Sequence, residues 1–219
     1  MLSSFKIAIA GDLHGAWLPD DHELLLKLRP DCVLIVGDLG DGDISLVKTI
    51  NKIEIPTAVI LGNHDHGKDK TGRILSAQLN LLGEKDCSWK IKKWKNLNLS
   101  IVGARPCSPG GGFYVSSEVN AVYGPITLQE SVKRLVSAAS EAHNDFPLII
   151  LAHSGPTGLG SDAASPCGRD WRLPAIDWGD KDLEIAIDQI CKIKIPDLVV
   201  FGHTHHQLKK GQGKRITFM

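Results

Sequence analysis

Five short apolar runs in this chain stop in the same way, and that repetition restricts the fold more than any other feature. Phe5-Lys6-Ile7-Ala8-Ile9-Ala10 runs into Gly11-Asp12-Leu13-His14, Cys32-Val33-Leu34-Ile35-Val36 into Gly37-Asp38, and Thr57-Ala58-Val59-Ile60-Leu61 into Gly62-Asn63-His64-Asp65. Leu148-Ile149-Ile150-Leu151 ends in Ala152-His153, and Leu198-Val199-Val200-Phe201 in Gly202-His203-Thr204-His205. Short β-branched runs of this kind read as buried strands. Helical patterns fill the gaps. One passes through Leu24, Leu25 and Leu28, with Asp20 or Asp21 as its N-cap and Pro30 as its stop; another runs from Ile44 to Ile53 behind Asp43. Others run through Ile74 to Leu82, from Thr127 to His143 behind a Thr127/Glu130 capping box, and from Asp180 to Ile193. A strand, helix, strand order implies right-handed parallel crossovers, so successive strands end on one sheet edge. That edge is where α/β proteins gather their chemistry.

Each of these strand ends carries a side chain able to bind a metal. Strand alternation is expected to point Asp12 and His14 to one side, and the crossover brings Asp38 beside Asp12. Two converging carboxylates repel unless a proton or a cation lies between them. Asn63 offers a neutral carbonyl oxygen, His64 an imidazole that can give or take a proton near neutral pH, and His153, His203 and His205 further nitrogens. Oxygen and imidazole donors without thiolates suit manganese, iron or zinc better than calcium. Seven ligands are too many for one ion, so Asp38 is expected to bridge two ions about 3.5 to 4 Å apart. Gly40-Asp41-Gly42-Asp43 lacks the spacing of an EF-hand and reads as a turn leading to the Asp43 cap. Asp65 either orients His64 or bonds the backbone of its own turn. Arg169 either grips a substrate phosphate or pairs with Asp170.

Composition bounds the rest. With 219 residues, 42% of them hydrophobic, residues 1–219 are expected to form a single domain. Two irregular insertions interrupt it, near 103–126 and 154–179. The first is rich in Gly and Pro but carries Phe113, Tyr114 and Tyr123, which predicts an ordered lid. Twenty-five basic residues balance 25 acidic ones, so nothing draws the chain to nucleic acid or a membrane, and a small substrate is the expected partner. No protein partner is evident. Five cysteines without C-x-x-C spacing predict no disulfide framework, and with no targeting segment a cytoplasmic location is expected.

In order, G-D-x-H (11–14), G-D (37–38), G-N-H-D (62–65), the strand-end His153 and G-H-T-H (202–205) strongly resemble the calcineurin-like metallophosphoesterases. The resemblance implies a four-layer α/β/β/α sandwich of two mixed sheets flanked by helices. It implies one metal held by Asp12, His14, Asp38 and His205 and a second by Asp38, Asn63, His153 and His203, with manganese expected and iron or zinc as alternatives. The activity it implies is hydrolysis of a phosphomonoester or phosphodiester of a small molecule or nucleotide. Hydroxide would attack, His64 would serve as acid, and Asn63, His64 and Arg169 would contact substrate. The elements G-P-x-G-L-G, C-G-x-D-W and D-W-G-D (155–180) look like a subgroup known from cyanobacteria and plant plastids, which would make the plastid stroma the location in a plant. Leu39-Gly40-Asp41-Gly42 and Leu61 replace the arginine-bearing motifs of the Ser/Thr protein phosphatases, which argues against that role. A hairpin turning at Lys210-Gly211-Gln212-Gly213 is expected to close the chain, and relatives commonly add further strands, so the chain reads as truncated or as an unusually short member. The alternative class is a non-catalytic metal-binding or protein-interaction module on the same scaffold; here every ligand position is filled.

Overall fold

The apolar runs form two short-stranded sheets in a computed structural model that describes residues 5–209 and 213–217. The first sheet holds β1 (Ile7–Ala10), β2 (Cys32–Ile35) and β3 (Thr57–Val59) in that order, all parallel. Its crossovers are α1 (Pro19–Leu28) and α2 (Ile44–Asn51), and α3 (Arg73–Leu82) follows β3. The second sheet runs β4 (Ile91–Trp94), β5 (Leu99–Gly103), β6 (Leu148–Leu151) and β7 (Leu198–Val200). Here β4 is antiparallel to β5, and the remaining pairs are parallel. The second sheet is therefore mixed as expected, whereas the described strands of the first are purely parallel, because each is joined to the next by a helix. Between β5 and β6 lie α4 (Ser117–Tyr123) and α5 (Leu128–Ser140), and α6 (Lys181–Ile190) precedes β7.

Strand alternation builds the layers. Cys32, Leu34, Ala58 and Ile60 from one sheet meet Leu99, Ile101, Ile149, Leu151 and Val200 from the other in a buried layer between the sheets. The intervening side chains, Val33, Ile35, Val59, Val102, Leu148 and Ile150, face the helices and pack with Leu46, Val47, Ile50, Leu135, Leu183 and Ile190. A strand buried on both faces gains nothing from polar alternation, hence the continuous apolar runs.

Two local expectations need correction. Helix α1 is capped by Leu18 with Pro19 in its first turn, and Asp21 reaches back to accept from the Leu18 amide rather than serving as N-cap. The edge strand β4 carries Lys92 and Lys93, and charged residues at a sheet edge discourage unwanted pairing. Helix α4 was read as part of an irregular insertion, though Ser116 caps it through the Val119 amide at 3.2 Å. Of the expected C-terminal turn, residues 210–212 lie outside the described residues, and Gln207 and Lys214 on either side form an antiparallel bridge. Among the described residues no helix is long and apolar enough to cross a membrane.

Both insertions are held by buried polar contacts. Arg105, buried in the first, donates from Nε to Asp182 at 2.9 Å and from Nη2 to Asp180 at 2.8 Å. Ser108 Oγ donates to Asp180 at 2.6 Å, and Ser131 Oγ on α5 donates to Asp182 at 2.5 Å. The insertions also pair with each other: the Gly111 amide donates to Trp178 O at 2.6 Å, and that of Gly112 to Gly179 O at 2.9 Å. Gly111 has φ +71°, and a Cβ there would lie 2.8 Å from the Trp178 ring, so only glycine admits this approach.

Candidate metal centre

The strand ends converge because their loops are stitched together. The Asp12 amide donates to Gly37 O at 2.9 Å, His14 to Asp38 O at 2.9 Å, and Gly202 to His153 O at 2.9 Å. Strand alternation is not what aims the side chains. Asp12, His14, Asp38, Asp41 and His203 all take left-handed backbone conformations just beyond their strands, with φ between +45° and +69°. Such conformations are costly for residues with a side chain and gather at functional sites.

The result is two adjoining groups. Asp12, His14 and His205 offer ligand atoms within 4.8 Å of one another, and so do Asp38, His153 and His203. His203 and His205, expected to project together, are thus divided between the groups. Asp38 lies between them, with Oδ2 3.9 Å from His14 Nε2 and Oδ1 3.4 Å from His153 Nε2. Asn63 Oδ1 joins the second group, 2.9 Å from His153 Nε2. Gly62 makes room for this: a Cβ there would clash with Asp38 Oδ1 and come within 2.7 Å of His153 Cε1.

The electrostatics follow from burial and pairing. Burial would raise the Asp38 carboxyl, but hydrogen bonding and charge attraction from His153, with the His64 amide, hold it well below the usual carboxylate range. Burial would lower His153, yet hydrogen bonding and attraction to Asp38 lift it to about 9. His203 is pushed down to about 3 by burial and by the neighbouring His153 charge. The ring orientations are fixed from behind. His153 Nδ1 donates to Val36 O at 2.6 Å, and His203 hydrogen-bonds to Pro109 O, which also accepts from Trp178 Nε1 at 2.8 Å. The first insertion therefore supplies the backing of a histidine at the other end of the chain.

Sequence reasoning missed Asp41. Its Oδ1 lies 3.3 Å from His14 Nδ1 and 3.2 Å from His64 Nδ1, so one carboxylate orients both imidazoles. The only signal was an acidic residue three positions after Asp38. The Asp65 carboxylate makes no hydrogen bond to the His64 ring. It is fully buried and accepts from the amides of Leu39 at 2.8 Å, Gly40 at 3.3 Å and Gly62 at 2.9 Å, which fastens the second and third strand-end loops together.

Arg169 is not brought to the site. Its Nε donates to Arg172 O at 3.2 Å and Nη2 to Pro174 O at 2.9 Å, while its guanidinium stacks 5.0 Å from the Trp178 ring. Burial and these backbone carbonyls fix the guanidinium away from the cluster, and it does not line the pocket above it. Nor does it pair with Asp170, whose Oδ1 lies 3.5 Å from Arg215 Nη2. Arg215 Nη1 also donates to Ala163, Ser165 and Gly168 carbonyls at 2.6 to 2.8 Å, and Nε to His205 O at 3.2 Å, so the C-terminal segment braces the second insertion. Above the cluster is a pocket of 310 Å³ whose lining includes His14, Asp38, His64, Trp171, His203 and Lys209.

Comparison with known proteins bears on the fold and the family. No curated protein matches the chain in sequence. Among solved structures it resembles one crystal structure at a TM-score of 0.56 and 13% identity, covering 90% of this chain and 83% of that one. It also resembles the crystal structure of a dimetal phosphatase from Danio rerio at a TM-score of 0.52 and 12% identity, covering 92% of this chain and 82% of that one. At such identities the likeness speaks for the fold. The family model of the calcineurin-like phosphoesterases matches residues 5–207, nearly the whole length, and the chain belongs to that family.

Proposed function

We propose that the chain is a metal-dependent phosphoric ester hydrolase acting on small phosphomonoesters or phosphodiesters. The observation that carries this reading is the placement of Asp38, whose two oxygens face two separate histidine-bearing groups. Asp12, His14, Asp38 and His205 would hold one divalent ion, and Asp38, Asn63, His153 and His203 the other, with manganese as the expected pair. The donor set supports that assignment: His153 spends Nδ1 on a carbonyl and turns Nε2 inward, and His203 Nε2 is buried without a hydrogen-bond partner among the described residues. A buried nitrogen left unpaired is costly unless a cation completes it. When bound, such a pair supplies Lewis acidity toward water and toward phosphoryl oxygens.

The chain's own residues complete the chemistry. His64 stands at the mouth of the pocket with its side chain 51% exposed, where it can reach an ester oxygen. Its Nδ1 faces Asp41, which leaves Nε2 to donate a proton to the departing oxygen. Its backbone amide donates to Asp38 Oδ1 at 2.9 Å, so the acid and the shared carboxylate hold a fixed spacing. A non-catalytic module would have no use for an exposed, carboxylate-oriented imidazole at this position. The test is release of p-nitrophenol from p-nitrophenyl phosphate and bis-p-nitrophenyl phosphate by metal-stripped protein, with and without manganese, alongside Asp38→Ala. Manganese-dependent release that Asp38→Ala abolishes supports the reading; release that is indifferent to metal or to Asp38 contradicts it.

A further inference from the structure

The second insertion delivers Trp171 to the wall of the pocket above the histidine cluster, and nothing in the hydrolytic machinery just described uses it. Its neighbours in sequence are fully employed. Arg169 is fixed to the 172–174 backbone and to Trp178, and Asp170 accepts from the Lys209 amide and faces Arg215. The indole is thereby pinned, standing at 81° to Trp178 with ring centroids 5.4 Å apart and at 82° to the ligand-like His203 at 6.5 Å. The ring is only partly buried and lines the pocket, with the Lys209 ammonium 5.9 Å from its centroid on an exposed side chain. Among the described residues Lys209 makes no ion pair, which leaves its charge to face an anion in the pocket.

A rigid aromatic face and an exposed cation beside a phosphate-handling centre match an ester that carries both a flat ring and negative charge. The 310 Å³ pocket is at the lower end of ligand-site volumes, which suits a mononucleotide better than a polymer. Resting on the phosphoesterase reading above, we propose that Trp171 is a stacking platform for the base of a nucleoside monophosphate, with Lys209 closing over the bound nucleotide. Base stacking is sequence-tolerant, so the platform selects for an aromatic base over a bare sugar phosphate rather than for one base.

The matched pair of adenosine 5′-monophosphate and ribose 5-phosphate isolates the base. Binding of each to manganese-loaded His64→Asn protein is measured by titration calorimetry, and KM and kcat for both are measured with the otherwise unaltered enzyme. The nucleotide is expected to bind about tenfold or more tightly than the sugar phosphate, with the difference in KM rather than kcat. Trp171→Leu removes that preference and leaves ribose 5-phosphate unchanged, which also reports that the site is still folded; Trp171→Phe retains most of it. Equal affinities in the parent protein, or a preference that survives Trp171→Leu, overturn the proposal while leaving the phosphoesterase reading intact. Failure of both esters to bind or react with two manganese ions in place overturns the proposal, and the phosphoesterase reading falls with it only if the p-nitrophenyl mono- and diesters are also left intact.

Discussion

Replacing Asp41 tests whether an exposed turn carboxylate matters to a site whose ligands it does not belong to. Asp41 Oδ1 is 3.2 Å from His64 Nδ1 and 3.3 Å from His14 Nδ1, and its own side chain is 58% exposed. Its charge is therefore well solvated, and its contribution should be geometric rather than one of deep electrostatic stabilisation. Outer partners that orient a working imidazole are typically worth about 10- to 100-fold. Loss of the general acid itself costs about 10²- to 10⁴-fold. At saturating manganese, Asp41→Ala should thus lower kcat for an alkyl phosphate by about 10- to 100-fold, less than His64→Asn does. The effect should shrink for p-nitrophenyl phosphate, whose leaving group needs little protonation. If Asp41 acts through His64, the double variant at saturating manganese, where a bound ion would hold His14 in place, is no slower than His64→Asn alone. Losses that multiply in the double variant, or an equal loss for both leaving groups, would refute the assignment.

Arg105→Leu leaves Asp180 and Asp182 buried without their cation and should cost roughly 3 to 5 kcal/mol of stability, read by chemical denaturation. Burial, opposed by Arg105, already raises Asp180 to about 7. Because a raised carboxyl binds its proton more tightly folded than unfolded, stability should be regained as the pH falls from 7 toward 4, and a loss over that window would show the sign to be wrong. Gly62→Ala should weaken manganese binding and also lower stability, since the added Cβ meets Asp38 Oδ1, the Asp38 backbone nitrogen and His153; unchanged affinity by titration would contradict the observed packing. His153, raised to about 9, carries a proton at neutral pH that a metal must displace. Metal uptake at pH 7 should release about one proton from this site, seen as a buffer-dependent heat that His153→Ala removes.

The strands and most helices are legible because the forces that make them are local. Strands buried on both faces must be apolar throughout, and caps such as Asp43 and Thr127 act within three residues, on the amides of Ser45 and Glu130. The candidate ligands could be picked out for the same reason, since each follows its strand directly. What escaped depends on left-handed turns or on distance along the chain. Asp41 reaches the two imidazoles only because its backbone adopts φ +52°, which no pattern of apolar residues announces. Asp65 and Arg169 carry the charges expected of catalytic groups, yet each lies buried and is held by backbone amides or carbonyls. The bracing of His205 and the second insertion by Arg215 links residues ten to more than fifty positions apart, and nothing near Arg215 signals it. Trp171 had a visible neighbourhood, but its place at the pocket is set by the packing of two irregular segments.

The account turns on one carboxylate shared by two metal positions, and the most direct measurement is electron paramagnetic resonance of the manganese-loaded protein with parallel metal analysis. Two ions per chain with exchange-coupled spins, the coupling lost in Asp38→Ala, is the predicted result. One ion per chain, or two whose spins ignore each other, would contradict it.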